Sequence, residues 1–282
     1  MMVCARPPAG TRGRGETGMA TQGAKGRADD LSCAIAAVDA FHVVATGESY
    51  WRGQKATNRK QSDRFVLKPG WRTVYAQRVE TALVRVTLAD GTVGWGEATE
   101  PICPEIVCRI VAGLVAPMLG GRTFENPRAL WEAGYDLNRG RGHAAGYQLL
   151  ALAALDLAVW DALGHRAGLP VAALLSEAPA CSIPPYLSGL RRATVAERID
   201  LLAEVIDRGF AGAKVFVDGD TEATLTEMSA LREGVPGDWR LMVDALWSYE
   251  TAASAAEARR NLARHDVSWL ECPLPPEDLG AH

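Results

Sequence analysis

The chain has 282 residues, with 30 basic side chains against 34 acidic ones and 48% hydrophobic residues. A net charge of −4 spread along the chain gives no basic stripe for a phosphate backbone, so we expect no nucleic-acid partner. No apolar run of ~18 residues lacks a charge or a strongly polar group, so we predict no membrane span. The six cysteines form no CxxC pair, and reduced thiols in the cytoplasm are the default for such a chain.

The first two thirds of the chain predict strands followed by helices. Residues 1–32 are rich in Gly, Arg, Ala and Thr, and we interpret them as a disordered extension. A β-branched strand is predicted at 33–47, and a hairpin at 79–87 and 92–97 around an Asp-Gly turn. The long polar segment at 48–70 predicts a lid or a disordered loop. Helices follow, which makes 33–180 an α+β unit; they are predicted at 104–118, 126–138 and 144–166.

From residue 183 onward, strands and helices alternate. Strands are predicted at 185–188, 212–217, 240–243 and 267–270, with helices between them at 194–208, 222–233 and 251–264. Tyr186, Lys214, Asp244 and Glu271 stand in or just after the strands, 28, 30 and 27 residues apart. Units of about 30 residues predict parallel strands with these side chains gathered at one end, as in a (β/α)8 barrel. A doubly wound sheet competes, although no GxGxxG follows a strand.

Two carboxylates close successive predicted strands. Asp244 and Glu271 would lie on neighbouring backbones about 4.8 Å apart, where like charges repel unless a cation neutralises them. Mg²⁺ with oxygen ligands is an economical solution. Lys214 ends the preceding strand, and its ammonium could hold a substrate carboxylate or modulate a base. Helix capping or surface ion pairing is the alternative role for the two acids.

Together with 155–175 (LDLAVWDALGHRAGLPVAALL) and 93–98 (VGWGEA), these residues resemble the enolase superfamily, in its mandelate racemase and muconate lactonizing enzyme group. The resemblance runs from about residue 34 to the last residue. It implies an α+β capping domain at 33–180 and a (β/α)7β barrel from 181. It also implies Mg²⁺ held by Asp244 and Glu271, a small-molecule carboxylate substrate, and abstraction of the proton α to that carboxylate. A metal and a cation must stabilise the enolate, because an α-proton is only weakly acidic.

Departures from the family pattern narrow the expected reaction. Many members carry Lys-x-Lys at the second barrel strand, with the second Lys as base, whereas this chain has Lys214-Val215-Phe216. Leu246, two positions after Asp244, stands where family members often have a polar residue. Racemases and epimerases, which need bases on both faces of the substrate, are therefore disfavoured. Dehydration of a sugar-derived acid becomes the leading hypothesis, with a racemase or cycloisomerase, or a silent module that retains the fold for binding, as the alternatives.

Four further residues are weaker candidates for contact with substrate. His143 precedes the third predicted helix, Tyr186 opens the parallel unit, and Tyr50 and Trp51 lie in the polar segment. A loop His flanked by Arg is more often solvated, and packing at the core or rim is an equal alternative for Tyr186.

The parallel unit is short for a barrel. Eight strands at about 28 residues each need well over 200 residues, whereas 183–282 supplies 100 residues and four strands. In the resembled family, the third metal ligand and a His–Asp pair come from later strands. We therefore expect a C-terminally truncated member that is inactive by itself, and a homo-oligomer for the full-length protein.

Overall fold

The computed structural model describes residues 31–45, 64–67, 74–180, 182–217 and 219–282. The first part of the chain contains β1 (Cys33–Ala45), β2 (Phe65–Leu67), β3 (Val74–Ala76), β4 (Val79–Leu88), β5 (Val93–Ala98), α1 (Pro104–Ile110), α2 (Ala116–Leu119), β6 (Thr123–Phe124), α3 (Pro127–Asp136), α4 (Tyr147–Ala167) and α5 (Val171–Leu175). The second part contains β7 (Tyr186–Ser188), α6 (Val195–Asp207), β8 (Gly212–Phe216), α7 (Thr221–Glu233), β9 (Arg240–Asp244), α8 (Ala252–Ala263) and β10 (Val267–Glu271).

An antiparallel sheet with strand order β5-β4-β1-β6 forms the first part, and helices cover one of its faces. Alternate residues of β4 are buried, as expected when only one face of a strand meets the core. A π-helical segment, Val111–Val115, joins α1 to α2, where the sequence predicts one regular helix. The short antiparallel hairpin of β2 and β3 lies apart from this sheet, and its first strand falls within the predicted polar segment.

Two glycines let β5 lie directly on α4. A Cβ atom at Gly94 would stand 2.1 Å from the Ala158 carbonyl oxygen, and one at Gly96 would stand 2.0 Å from that of Ala154. Any side chain at either position would force the strand and the helix apart. The Asp161 carboxylate adds a hydrogen bond from the backbone N–H of Trp95, at 2.9 Å. The VGWGEA motif thus locks the edge strand of the sheet to its main helix.

Among the described helices, α4 is long and apolar enough to cross a membrane by length and composition, and the sequence analysis did not anticipate this. Of its most apolar window, 56% is buried inside the molecule. Its buried residues include Leu152, Leu155 and Val159, which belong to the core beneath the antiparallel sheet. This placement is that of a core helix.

The second part forms a parallel sheet with strand order β10-β9-β8-β7. Each helix begins at a side-chain cap; Thr194 and Thr251 form capping boxes, and Asp220 accepts from the backbone N–H of Ala223. Apolar residues of β8 and β9, such as Val215 and Val243, join Leu202 and Met228 of the helices in a second core. The predicted strands and helices of this part are confirmed, and the described strands form an open sheet without closing into a barrel.

The chain passes from the antiparallel to the parallel sheet between α5, which ends at Leu175, and β7, which begins at Tyr186. The boundary that the sequence places between residues 180 and 181 lies in this connection. The predicted disordered extension lies outside the described residues, except for residues 31 and 32. Most of the predicted lid also lies outside them.

Candidate metal centre and adjoining cavity

Three charged side chains meet near the carboxyl ends of the parallel strands. Lys214, which the sequence places at the end of its strand, is instead the middle residue of β8 and pairs with Met242, two residues before Asp244. Asp244 and Glu271 are the last residues of β9 and β10, and the parallel register pairs them directly. The Lys214 Nζ donates a hydrogen bond to Glu271 Oε1 at 2.7 Å and lies 3.3 Å from Asp244 Oδ2. The structure therefore brings together the three residues that the sequence singles out as base or cation and as metal ligands.

Two of these three side chains are removed from water, whereas the Glu271 side chain is 35% exposed. Lys214 and Asp244 are 6% and 5% exposed. Burial raises the pKa of Asp244, outweighing the hydrogen bonds from Leu246 and Lys214 that lower it. Burial alone would lower the pKa of Lys214, but the hydrogen bonds to Glu271 and Asp244 outweigh it and raise the pKa overall. One ammonium thus faces two carboxyl groups, and two ionised carboxylates would need a further positive charge for neutrality.

The loop after β9 fixes the orientation of Asp244. The backbone N–H of Leu246 donates to Asp244 Oδ1 at 3.1 Å. Leu246 and Trp247 both have positive φ angles, 49° and 58°, which are uncommon for such side chains. The Trp247 N–H also donates to the carbonyl oxygen of Cys272 at 2.7 Å. Conformations of this kind persist where the surrounding contacts hold them, as at many functional sites.

The donor set fits a divalent cation. One ligand atom each of Asp244, Glu271 and Cys272 lies within 4.8 Å of the other two. Two of the three donors are carboxylate oxygens, the ligands that Mg²⁺ prefers. The Lys214 ammonium already acts as the counter-ion of both carboxylates, so the site is built to hold positive charge. The sequence analysis missed Cys272; its position directly after Glu271 was the available signal.

A cavity of about 400 Å³ lies beside this group, between the two parts of the chain. Phe216 and Leu246 line it from the parallel sheet, together with Arg191. The Phe216 ring lines the cavity, and its centroid is 5.7 Å from Lys214 Nζ. The opposite wall comes from the ends of β3, β4 and β5; it includes Tyr75, Arg78, Glu80, Glu97 and Ile102. The sequence analysis named none of these wall residues.

The weaker candidates lie elsewhere. Tyr186 pairs with Gly212, two residues before Lys214, and its ring packs edge-on against Trp269 with 6.1 Å between centroids. The expectation that Tyr186 joins the charged group is therefore corrected: Tyr186 opens its strand, and the parallel register places it at the amino ends. His143 is exposed in the turn before α4 and does not line the cavity. Tyr50 and Trp51 lie outside the described residues.

A second charged group includes the cavity residue Glu80 and joins the antiparallel sheet to the start of α1. Arg64 bonds both oxygens of Glu105, at 2.8 and 3.0 Å, and Glu80 Oε2 at 2.9 Å. His42 Nε2 lies 2.9 Å from the same Glu80 oxygen. His42, Glu80 and Glu105 also carry metal-type donors within 4.8 Å of one another. Arg64 already holds both carboxylates by its guanidinium, which leaves this group an ion-pair network.

Comparison with known proteins agrees with this architecture. The family described as "Mandelate racemase / muconate lactonizing enzyme, N-terminal domain" matches residues 58–176, and that described as "Enolase C-terminal domain-like" matches residues 197–282. One match falls in the antiparallel part of the chain and the other in the parallel part.

Enzymes of known activity are among the relatives. D-galactarolactone cycloisomerase of Agrobacterium fabrum is 31% identical over 207 residues, which cover 71% of this chain and 53% of that enzyme. Arabinonate dehydratase of Saccharolobus solfataricus is 26% identical over 205 residues, which cover 71% and 54%. The chain thus spans about half the length of the curated relatives that it matches.

Solved structures share the same fold. A member of the enolase superfamily from Agrobacterium tumefaciens superposes with a TM-score of 0.80 at 30% identity, covering 89% of this chain and 64% of that one. A structure described as a putative isomerase from Sinorhizobium meliloti gives 0.79 at 30% identity, covering 89% and 66%. These matches confirm the arrangement of a capping domain followed by a barrel-type domain. The chain belongs to the mandelate racemase and muconate lactonizing enzyme group of the enolase superfamily.

Proposed function

We propose that this chain carries the metal-binding half of an active site that removes the proton α to the carboxylate of a sugar-derived acid. The observation that carries the proposal is the contact of one buried ammonium with two carboxylates at the strand ends, 2.7 and 3.3 Å away, beside a cavity. Relatives named as acid-sugar dehydratases and cycloisomerases support the substrate class.

The roles of the three residues follow from their chemistry. Asp244 and Glu271 would hold Mg²⁺ through carboxylate oxygens. When bound, Mg²⁺ supplies charge stabilisation for the enolate that forms when the α-proton leaves. Lys214, whose ammonium is held in place by both carboxylates, is positioned to bind the substrate carboxylate or the developing enolate oxygen. Lys214 is assigned to charge stabilisation, because its ammonium already pairs with both carboxylates of the site.

The apolar wall of the cavity bears on the reaction type. Phe216 and Leu246 face the cavity where a basic side chain would serve a second face of the substrate, and neither side chain can take a proton. A reaction with one base, dehydration above all, is therefore favoured. Cycloisomerisation is the second candidate, and the 31% identity to a cycloisomerase supports it. Racemisation or epimerisation remains disfavoured, although a dipeptide epimerase is also among the relatives.

Because the chain spans about half the length of its curated relatives, we propose the complete reaction and its substrate for the whole protein. We expect the whole protein to be a cytoplasmic homo-oligomer, and this chain by itself to turn over no substrate. Tests on the chain must therefore measure binding.

Titration calorimetry with Mg²⁺ provides such a test. We expect wild type to take up Mg²⁺, Asp244→Asn to lose this uptake, and Asp238→Asn, which alters an exposed carboxylate outside the site, to keep it. A second titration, with an aldonate, should release heat only when Mg²⁺ is present. If wild type took up no Mg²⁺, or if Asp244→Asn took up as much as wild type, the enzyme proposal would be rejected. The chain would then be better described as a silent binding module.

A further inference from the structure

The residue after Glu271 is a cysteine, Cys272, whose sulfur lies close to the carboxylates of Asp244 and Glu271. Cys272 lies directly after β10 with a positive φ of 44°, and its Sγ is within 4.8 Å of ligand atoms of Asp244 and Glu271. Its thiol is half-buried and forms no disulfide. The enolate chemistry proposed above assigns no role to this sulfur.

The spacing of the three donors suits a small divalent cation. With metal–sulfur and metal–oxygen bonds of about 2.0–2.3 Å, ligand atoms around one ion stand up to about 4.6 Å apart. Donors within 4.8 Å of one another therefore need only small side-chain rotations to share an ion. In the part of the chain that the structure describes, Asp244, Glu271 and Cys272 form the group that combines sulfur with oxygen donors.

Burial and the carboxylates of Asp244 and Glu271 raise the pKa of the Cys272 thiol, so the sulfur keeps its proton until a cation binds. Two carboxylates and the Lys214 ammonium sum to one negative charge, and adding Mg²⁺ to them leaves one positive charge. Adding a divalent cation together with a Cys272 thiolate makes the sum zero, which is the least costly charge for a buried group. On ligation, the Cys272 proton leaves to solvent and the sulfur–metal bond replaces the S–H bond.

We propose that Cys272 is a third ligand at this centre, so that the site also takes a thiophilic divalent cation such as Zn²⁺ or Co²⁺, in competition with Mg²⁺. The proposal rests on the metal site of the proposed function and adds a ligand and a metal class to it. Mg²⁺ is a hard ion that gains little from sulfur, whereas Zn²⁺ and Co²⁺ bind thiolates well. Cys272 therefore sets which metal occupies the site and leaves Mg²⁺ binding nearly unchanged.

Cobalt provides the test, because a bound thiolate gives Co²⁺ a charge-transfer absorption in the near ultraviolet. We would titrate the reduced chain with Co²⁺, and separately with Mg²⁺, by absorption and calorimetry. The variants are Cys272→Ser, Cys272→Ala, and Cys103→Ser as a matched control at another half-buried thiol. Urea unfolding of each variant checks that it remains folded.

We expect the absorption band in wild type and in Cys103→Ser, and its loss in both Cys272 variants. Their Co²⁺ affinity should fall by more than about tenfold, while their Mg²⁺ affinity should stay within about threefold of wild type. If wild type bound Co²⁺ without the absorption band, and Cys272→Ser bound Co²⁺ with the same affinity as wild type, Cys272 would not be a thiolate ligand. That result would leave the proposed Mg²⁺ site standing. Uptake of neither metal would overturn the proposed function as well.

Discussion

The molecule pairs two carboxylates with one basic side chain at two places, in two different ways. In the capping domain, the Arg64 guanidinium makes three hydrogen bonds to Glu80 and Glu105. At the strand ends of the barrel-type domain, a single ammonium, that of Lys214, serves both Asp244 and Glu271. The Arg64 fork holds both oxygens of Glu105 and one of Glu80, whereas the Lys214 ammonium contacts one oxygen of each of its carboxylates.

The carboxyl groups of the two networks also differ in the direction in which their pKa values are shifted. Burial alone would raise the pKa of Glu80, but hydrogen bonds from Arg64 and His42 outweigh it and lower the pKa. Hydrogen bonds from Arg64 lower the pKa of Glu105 to about 2. At Asp244, burial prevails and the pKa is raised. Each group sets one Arg or Lys against two carboxylates, so the difference lies in which influence prevails. Hydrogen bonds prevail in the capping-domain group, whereas burial prevails at Asp244, as expected of a metal ligand before its ion binds.

The largest expected effect comes from removing the ammonium. Lys214→Met leaves two neighbouring carboxylates, one of them 5% exposed, without a counter-ion. We expect a loss of about 3 kcal/mol in the free energy of unfolding, measured by urea titration in EDTA. Mg²⁺ should restore much of this loss, because it supplies the missing positive charge.

Arg128→Met is the control for that variant. Arg128 forms an exposed i,i+4 pair with Glu132, and such pairs contribute less than about 0.5 kcal/mol. If Lys214→Met were as stable as this control and indifferent to Mg²⁺, Asp244 and Glu271 would not need the positive charge of Lys214.

A smaller loss is expected when the capping-domain network is opened. Arg64→Met leaves Glu80, whose side chain is 4% exposed, with a missing charge-assisted hydrogen bond, at a cost of about 1–3 kcal/mol. Arg64→Lys should recover less than half of the loss, because an ammonium cannot reproduce the planar fork. Urea midpoints of the three proteins give the comparison, and equal midpoints for Lys and Arg would show that the fork is unimportant.

Lowering the pH should weaken the capping-domain network by protonating Glu105, with a smaller effect on stability than the substitutions above. The folded pKa of Glu105 is about 2 against an ordinary value of 4.5, so the stability it contributes is complete above pH 4.5 and is lost as pH falls towards 2. The difference in urea midpoint between wild type and Glu105→Gln should therefore shrink over that range. A difference independent of pH would mean that the ion pair with Arg64 contributes no stability.

The smallest effect concerns a thiol outside both groups. Cys33 is fully buried, and burial raises its pKa to about 11. Alkylation of the folded protein at pH 8, followed by peptide mass spectrometry, should label Cys103 well before Cys33. Labelling at equal rates would indicate that the core beneath β1 opens readily.

The sequence predicts the parallel part well, because its signals are local and repeated. Apolar strand runs with capped helices at a spacing near 30 residues define the register, and Lys214, Asp244 and Glu271 follow from it. Tyr186 was misplaced because a spacing cannot tell whether a residue opens or closes its strand. The strand pairing of β7 with β8 supplies that information.

The cavity wall and the Arg64 network could not be predicted from the sequence. Arg64 and Glu105 are 41 positions apart, and their contact depends on how the β2–β3 hairpin lies against α1. Long-range contacts of this kind between charged residues leave no periodic signal in one sequence. Cys272 was missed for another reason: a lone cysteine acquires chemical meaning only from its neighbours in space.

The close approach of β5 to α4 has a consequence for how the cavity can vary. Residues 99–102, which line the cavity, continue directly from β5, and Gly94 and Gly96 hold β5 against helix backbone with no room for a side chain. That wall cannot be moved by ordinary substitutions without disrupting the capping domain. Differences in substrate preference among related proteins should therefore arise from the β2–β3 hairpin and from the loops after the parallel strands. The cavity wall that follows β5 should keep the same position in all of them.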